Sequence, residues 1–188
     1  MKNLKSIALA LVVVLSTVSV SAQTKNINTT TSSIEWLAKK VTGQHNGTVN
    51  FKDGALVLKG GKLKGGIFTV DMPTLTSTDL TGEYLGKLNG HLKSDDFFST
   101  EKFPTAKLVF KKIGTKSPNV YKVTADLTIK GITNPVIFDL TINGNTATTT
   151  FNVDRTKYDI KYNSKSFFES IGDKAIYDEF ELKVNLKF

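Results

Sequence analysis

Few residues of this chain are of a type and spacing that could do chemistry. They are two histidines, His45 and His91, the adjacent carboxylates Asp95 and Asp96, and a single arginine, Arg155. His91 and Asp95 stand four apart, so on a continuous helix they would share a face and could hold a metal ion, with His45 as a further ligand. The competing reading is structural, with histidine and aspartate satisfying backbone groups where a helix joins a strand. That reading is adopted, and no metal or cofactor is expected. The chain has no cysteine, which excludes thiol chemistry, cysteine metal sites and a disulfide scaffold. It carries no nucleophile-elbow motif and no HExxH pair, and its glycine pairs fall in β turns rather than before a helix. No catalytic residue is assigned, and the chain is not expected to be an enzyme.

The element that carries His91, Asp95 and Asp96 is the one helical pattern in a β-rich sequence. Leu85, Leu88 and Leu92 recur at spacings of three and four, giving one apolar face. Gly86 and Gly90 within it would let the backbone approach a sheet closely. Ser94 can cap a new short turn, with Asp95 and Asp96 where a helix dipole favours negative charge. Phe97 and Phe98 follow, and Pro104 ends any helix and hands over to a strand in which Ala106, Leu108 and Phe110 share a face. An insertion with an apolar underside is suited to lid the sheet that carries it.

The N-terminus reads as a secretory signal peptide over residues 1–22. Lys2 and Lys5 form a basic start, Ile7 to Val20 an apolar run, and Val20-Ser21-Ala22 a small-residue cleavage site. A retained anchor would need about 18 to 20 unbroken apolar residues, and Ser16, Thr17, Ser19 and Ser21 interrupt this run. A periplasmic or secreted location is therefore expected. Without Lys2 and Lys5 the formal charge falls from +8 to +6. Nearly all of it is dispersed lysine, a poor match to nucleic acid, whose recognition leans on arginine. Simple solubility or peripheral contact with an anionic membrane surface fits better. Nothing in the sequence fixes the oligomeric state, a homodimer included.

Residues 23–32 read as a polar lead-in and 33–188 as the domain. A strand is expected from Ser33 to Val41 with Trp36, then a turn over Gly43–Gly47 carrying His45. Next come a strand at Thr48–Phe51, a turn at Asp53-Gly54, a strand at Ala55–Lys59 and a turn at Gly60-Gly61. A strand from Lys62 to Met72, with Phe68 and Val70 on one face, is expected to end at Pro73, and Leu75–Leu80 reads as a loop or short helix. Beyond the helical insertion, Tyr121 to Ile129 alternates strictly. Val136 to Ile142 alternates up to a hairpin signal at Asn143-Gly144, and Ala147 to Asp154 puts Phe151 and Val153 inward. The last strand carries Ile176, Phe180, Leu182, Val184, Leu186 and Phe188 on one face. Eight or nine half-buried antiparallel strands joined by short turns predict an all-β fold, a lidded barrel in preference to a sandwich.

The chain also resembles the YceI-like family of exported lipid-binding barrels. The resemblance rests on Ile34-Glu35-Trp36, Lys40 to Gly47 (KVTGQHNG), Gly65 to Met72 (GGIFTVDM) and His91 to Phe98 (HLKSDDFF). Phe103 to Ala106, Leu127 to Thr133 and Val153 to Thr156 continue it. It implies a lipocalin-like antiparallel barrel whose apolar lumen holds a long isoprenoid or similar amphiphile. The expected function is an exported protein that sequesters or carries such a lipid unaltered; the alternatives are an enzyme acting on it, with His91, Asp95 and Arg155 as actors, and an envelope interaction module whose barrel is filled by its own side chains. The lining residues the resemblance implies are Phe68, Val70, Leu108 and Phe110, then Leu127, Ile129, Phe138 and Leu140, then Phe151, Phe180 and Leu182. The lid would add Leu88, Leu92, Phe97 and Phe98. Burial of about ten methylenes in such a lumen gives about 8 kcal/mol gross. For the head group, Arg155, Lys157 and Tyr158, with His91, form the richest set of donors, and the planar fork of Arg155 suits a phosphate. Alternatively, Arg155 pairs with Asp154 or another carboxylate to fix a strand end.

Overall fold

A computed structural model describes residues 21–168 and 172–188. The expected signal segment lies outside the described residues, apart from Ser21 and Ala22. Among the described residues the elements run β1 (Ala22–Asn26), β2 (Ser33–Lys40), β3 (Gly43–Lys59), β4 (Lys62–Ser77) and α1 (Gly82–Lys93). They continue with β5 (Thr105–Ser117), β6 (Val120–Ile129), β7 (Ile132–Asn143), β8 (Thr146–Asp154) and β9 (Ile176–Lys187). Every strand pairing is antiparallel. From β2 to β9 each strand pairs with the next, and β9 pairs back onto β2, closing an eight-stranded barrel. The ninth strand, β1, lies outside the closed ring. Part of the expected polar lead-in is thus a strand, and it covers the edge of β3 from Ala55 to Lys59 that β2 leaves open.

The long strands β3 and β4 absorb several signals that read locally as turns. His45 is paired with Ala38 inside β3, not held in a turn. At Asp53-Gly54 the strand continues through a bulge, because Phe51 pairs with Val70 and Asp53 with Thr69, leaving Lys52 as the extra residue. Pro73 does not end β4. It sits in an excursion between Asp71, opposite Asn50, and Thr76, opposite Thr48, where no ladder donor is required of it. The Thr74 hydroxyl donates to the Asp71 carbonyl at 2.6 Å and accepts from the Asn50 amide at 2.8 Å, which holds the excursion. Its effect is to drive Met72 and Leu75 into the interior. The β7–β8 loop is Gly144-Asn145, one residue later than expected, since Asn143 pairs with Thr146.

Helix α1 is the expected insertion, with Glu83 in its first turn and His91 and Lys93 in its last, as the dipole favours. None of its residues is fully buried. It is tied to β4 by Asn89, whose Oδ1 accepts from the Ser77 amide at 2.9 Å and whose Nδ2 donates to Thr76 Oγ1 at 2.9 Å. Gly86 and Gly90 do not allow close approach to the sheet, because a Cβ at either would meet open space. The Ser94 hydroxyl donates back to the His91 carbonyl at 2.8 Å, closing α1 rather than capping a following turn.

Inside the barrel, aromatic rings lean on the wall where it lacks side chains. Phe68 lies against Gly54, Phe110 against Gly66 and Trp36 against Gly47; a Cβ at any of the three would overlap the ring. Gly47 is also closed in by the Thr76 carbonyl, which is backbone and cannot swing aside. Gly47→Ala is therefore expected to destabilise the fold by about 1 to 3 kcal/mol and to shift Trp36 fluorescence, as read by urea unfolding.

Candidate ligand cavity

The inward faces of all eight ring strands enclose one central cavity. About 880 Å³ of empty space, including solvent-connected space, lies between its lining atoms, and about 120 Å³ of that can hold the centre of a water-sized molecule. Every lining side chain is apolar except Thr149, and none is titratable. A water there finds no polar surface, whereas a hydrocarbon loses nothing by entering. The wall carries a run of phenylalanines: Phe51 to Phe68 at 6.1 Å, Phe68 to Phe110 at 5.7 Å and Phe110 to Phe138 at 5.9 Å between ring centres. Phe138 stacks on Phe151 at 4.7 Å.

Twelve of the fifteen candidate lining residues border this cavity: Phe68, Val70, Phe98, Leu108, Phe110, Leu127, Ile129, Phe138, Leu140, Phe151, Phe180 and Leu182. Leu88, Leu92 and Phe97 do not. They border a second, smaller pocket beneath α1, shared with Trp36, Ala38, Lys39 and Lys40 of β2, both histidines and Ile176. Helix α1 contributes no side chain to the central cavity, and Leu88 and Leu92 face this side pocket instead.

Ile34, Trp36, Val49, Phe51, Val184 and Leu186 also line the lumen, and the period-two alternation of their strands already carried that signal. Thr149 escaped because it is polar, although it has the parity of Ala147 and Phe151. Met72 keeps the parity of Phe68 and Val70, whereas Leu75 could not be read from alternation, since the excursion around Pro73 breaks it.

Of the four candidate head-group residues, the structure gives Arg155 another task. Its side chain is 3% exposed, and its guanidinium donates from Nε to the Tyr177 carbonyl, from one terminal nitrogen to Ile160 and from the other to Ile176, at 2.8 to 3.1 Å. Asp178 stands 3.7 Å away, so the carboxylate nearby is not the adjacent Asp154 alone. Burial lowers the guanidinium pKa while Asp178 and Asp154 raise it; it stays charged. Arg155 therefore clamps the segment between β8 and β9 onto the barrel. Tyr158 is buried with its hydroxyl unpartnered, and burial, aided by the charge of Asp154, pushes its pKa up to about 12. Lys157 is exposed and 3.9 Å from Asp154.

The histidines are not joined to a metal-ligand set; among the described residues no group of three His, Cys, Asp or Glu converges. Asp95 pairs with Lys102 at 2.5 Å, leaving Asp96, 3.8 Å off, as the carboxylate nearest His91. The His91 ring stands edge-on to Phe97 and Tyr162. His45 Nδ1 lies 2.9 Å from Asp79 Oδ2. Burial tends to raise the Asp79 pKa, but hydrogen bonds from Ser77, His45 and the Asn46 amide win and hold it below the ordinary value.

Comparison with known proteins gives a match to the model of the YceI-like domain over residues 25–188. A UPF0312 protein of Staphylococcus aureus is 41% identical over 86 residues, covering 40% of this chain and 47% of that protein. The chain thus spans about half the length of the curated relatives it matches. Among solved structures, BcnA of Burkholderia cenocepacia superposes with a TM-score of 0.68 at 20% identity, over 85% of this chain and 98% of that one. A polyisoprenoid-binding domain from Saccharophagus degradans, implicated in plant cell wall breakdown, gives 0.57 at 12% identity over 89% and 97%. At these identities the two structures bear on the fold, and both share the closed antiparallel barrel.

Two outcomes test the site. Arg155→Met leaves three carbonyls without their donor and is expected to cost about 3 kcal/mol in thermal unfolding. Arg155→Lys should recover little of it, because an ammonium cannot reproduce the planar fork. For Tyr158, a folded pKa raised from 10.0 to about 12 favours the neutral phenol in the folded state. Its contribution is complete below pH 10 and lost as pH rises from there toward 12. In alkaline titrations followed by circular dichroism, Tyr158→Phe should flatten that part of the stability loss and leave neutral-pH stability equal or higher.

Proposed function

Since the chain belongs to the YceI-like domain family, we propose that it is a binding protein that holds a long-chain amphiphilic lipid, isoprenoid-type or similar, in the barrel lumen. The observation that carries this reading is a cavity lined by eight strands with no titratable side chain and one polar one. The polyisoprenoid-binding domain of S. degradans, which shares the fold, supports the same ligand class. Each methylene moved from water into such a wall is worth about 0.8 kcal/mol, so a tail of about ten offsets a substantial part of the cost of association. Binding at roughly micromolar strength needs only a modest surplus over that cost.

The same wall argues for carriage or sequestration rather than turnover. Acid–base catalysis needs a titratable group within hydrogen-bond reach of the reacting atoms, and the lumen supplies none. We further infer export to the periplasm or beyond, from the basic start, apolar run and small-residue site at the N-terminus. Peripheral contact with an anionic membrane surface fits the lysine excess and would bring the barrel to its ligand.

The test is native mass spectrometry of the purified protein followed by organic extraction. A lipid should leave the barrel on denaturation. Phe98→Asp, which puts a charge on the cavity wall, should lose the lipid while the β signature persists. Phe97→Asp should instead unfold, since Phe97 is 7% exposed and packed by Arg155, His91 and Tyr162. A wild-type protein that carries no lipid and takes none up from vesicles would sink the proposal.

A further inference from the structure

The pocket beneath α1 differs from the lumen in one respect: its apolar walls carry lysine and histidine side chains. Lys40, His45 and His91 border it together with Trp36, Leu88 and Phe97, and Lys39 is at its edge. The lysines held in ion pairs among the described residues are others, and Lys39 and Lys40 make none there. His45 uses Nδ1 on Asp79, and its Nε2 has no partner among the described residues. His91 Nε2 is beyond hydrogen-bond length from Asp96, at 3.8 Å. The carboxylates at this pocket are thus Asp79, already engaged by Ser77 and His45, and the exposed Asp96.

This pocket adjoins the lumen on two sides. Trp36 borders both spaces. Phe97 borders the pocket and Phe98 the lumen, with their rings 6.4 Å apart. Trp36 is 7% exposed, and its Nε1–H has no hydrogen-bond partner among the described residues.

We propose that the pocket beneath α1 receives the head group of the lipid in the lumen, and that this head group is anionic, a phosphate or a carboxylate. Lys40 supplies the charged donor and the His91 imidazole a further N–H, with His45 beside them. The tail passes between Trp36 and Phe98 into the barrel. This rests on the lumen holding an alkyl tail, and it moves the head-group site from Arg155, which is committed to three backbone carbonyls, and the buried Tyr158 to the histidine side of the helix.

The experiment is displacement of an apolar fluorescent dye from the lumen by dodecyl phosphate, dodecanoate, dodecanol and inorganic phosphate. Charge-assisted hydrogen bonds at the head group should make the two anionic probes bind roughly tenfold or more tightly than the alcohol. In a Lys40→Met, His91→Gln double variant that preference should shrink to about twofold while dodecanol affinity stays unchanged. Equal binding of alcohol and anions by the wild type, or a preference that survives the double variant, overturns the proposal and leaves the lumen reading intact. Inorganic phosphate binding as tightly as dodecyl phosphate also overturns it, because the anion site would then be unconnected to the tail. Failure of every chain-bearing probe to displace the dye overturns both readings together.

Discussion

A barrel of this size stays hollow only if its large inward side chains are kept from meeting in the middle, and here bare backbone on the neighbouring, paired strand does that work. Aromatic rings are the largest apolar groups available, and in a closed ring of eight strands they would ordinarily fill the centre. Gly47, Gly54 and Gly66 instead leave recesses into which Trp36, Phe68 and Phe110 lie back against the wall. The rings gain contact area with backbone and with one another, and the axis stays open. The wall is thus both the core of the protein and the surface offered to a guest. Packing that holds the fold and packing that holds a ligand are the same set of side chains.

The strands of the second half were legible because each alternates without interruption, and one buried face leaves register no freedom. The helix was legible from three leucines. What escaped lay where barrel closure overrides local signals. Asp53-Gly54 has the composition of a turn, yet both flanks of β3 are held by β4, so the chain kinks through a bulge instead of reversing. Pro73 marks an excursion rather than an end, because the strand resumes pairing at Thr76. Gly86 and Gly90 suggested close approach, but which side of a helix faces the sheet depends on neighbours distant in sequence.

The site divides in the same way. Side chains projecting from regular strands reach the cavity wall as their parity indicates. For Arg155 an anion site and a strand-end clamp stood open side by side, because its partners are carbonyls of Ile160, Ile176 and Tyr177, and nothing in a sequence shows where carbonyls point. The two histidines, 46 positions apart, come to border one pocket through the return of α1 over the start of β3. That is a product of topology, invisible to spacing.

The seam between β2 and β9 has a consequence of its own. It joins Glu35 to Lys183, so the barrel's first and last strands must find each other across nearly the whole chain. Contacts so distant in sequence form late and make folding slow. Until they form there is no interior, only a curled sheet with two raw margins and a greasy concave side. A guest molecule therefore has two possible histories: it is trapped as the sheet wraps shut, or it enters through a finished wall that must part locally to admit it.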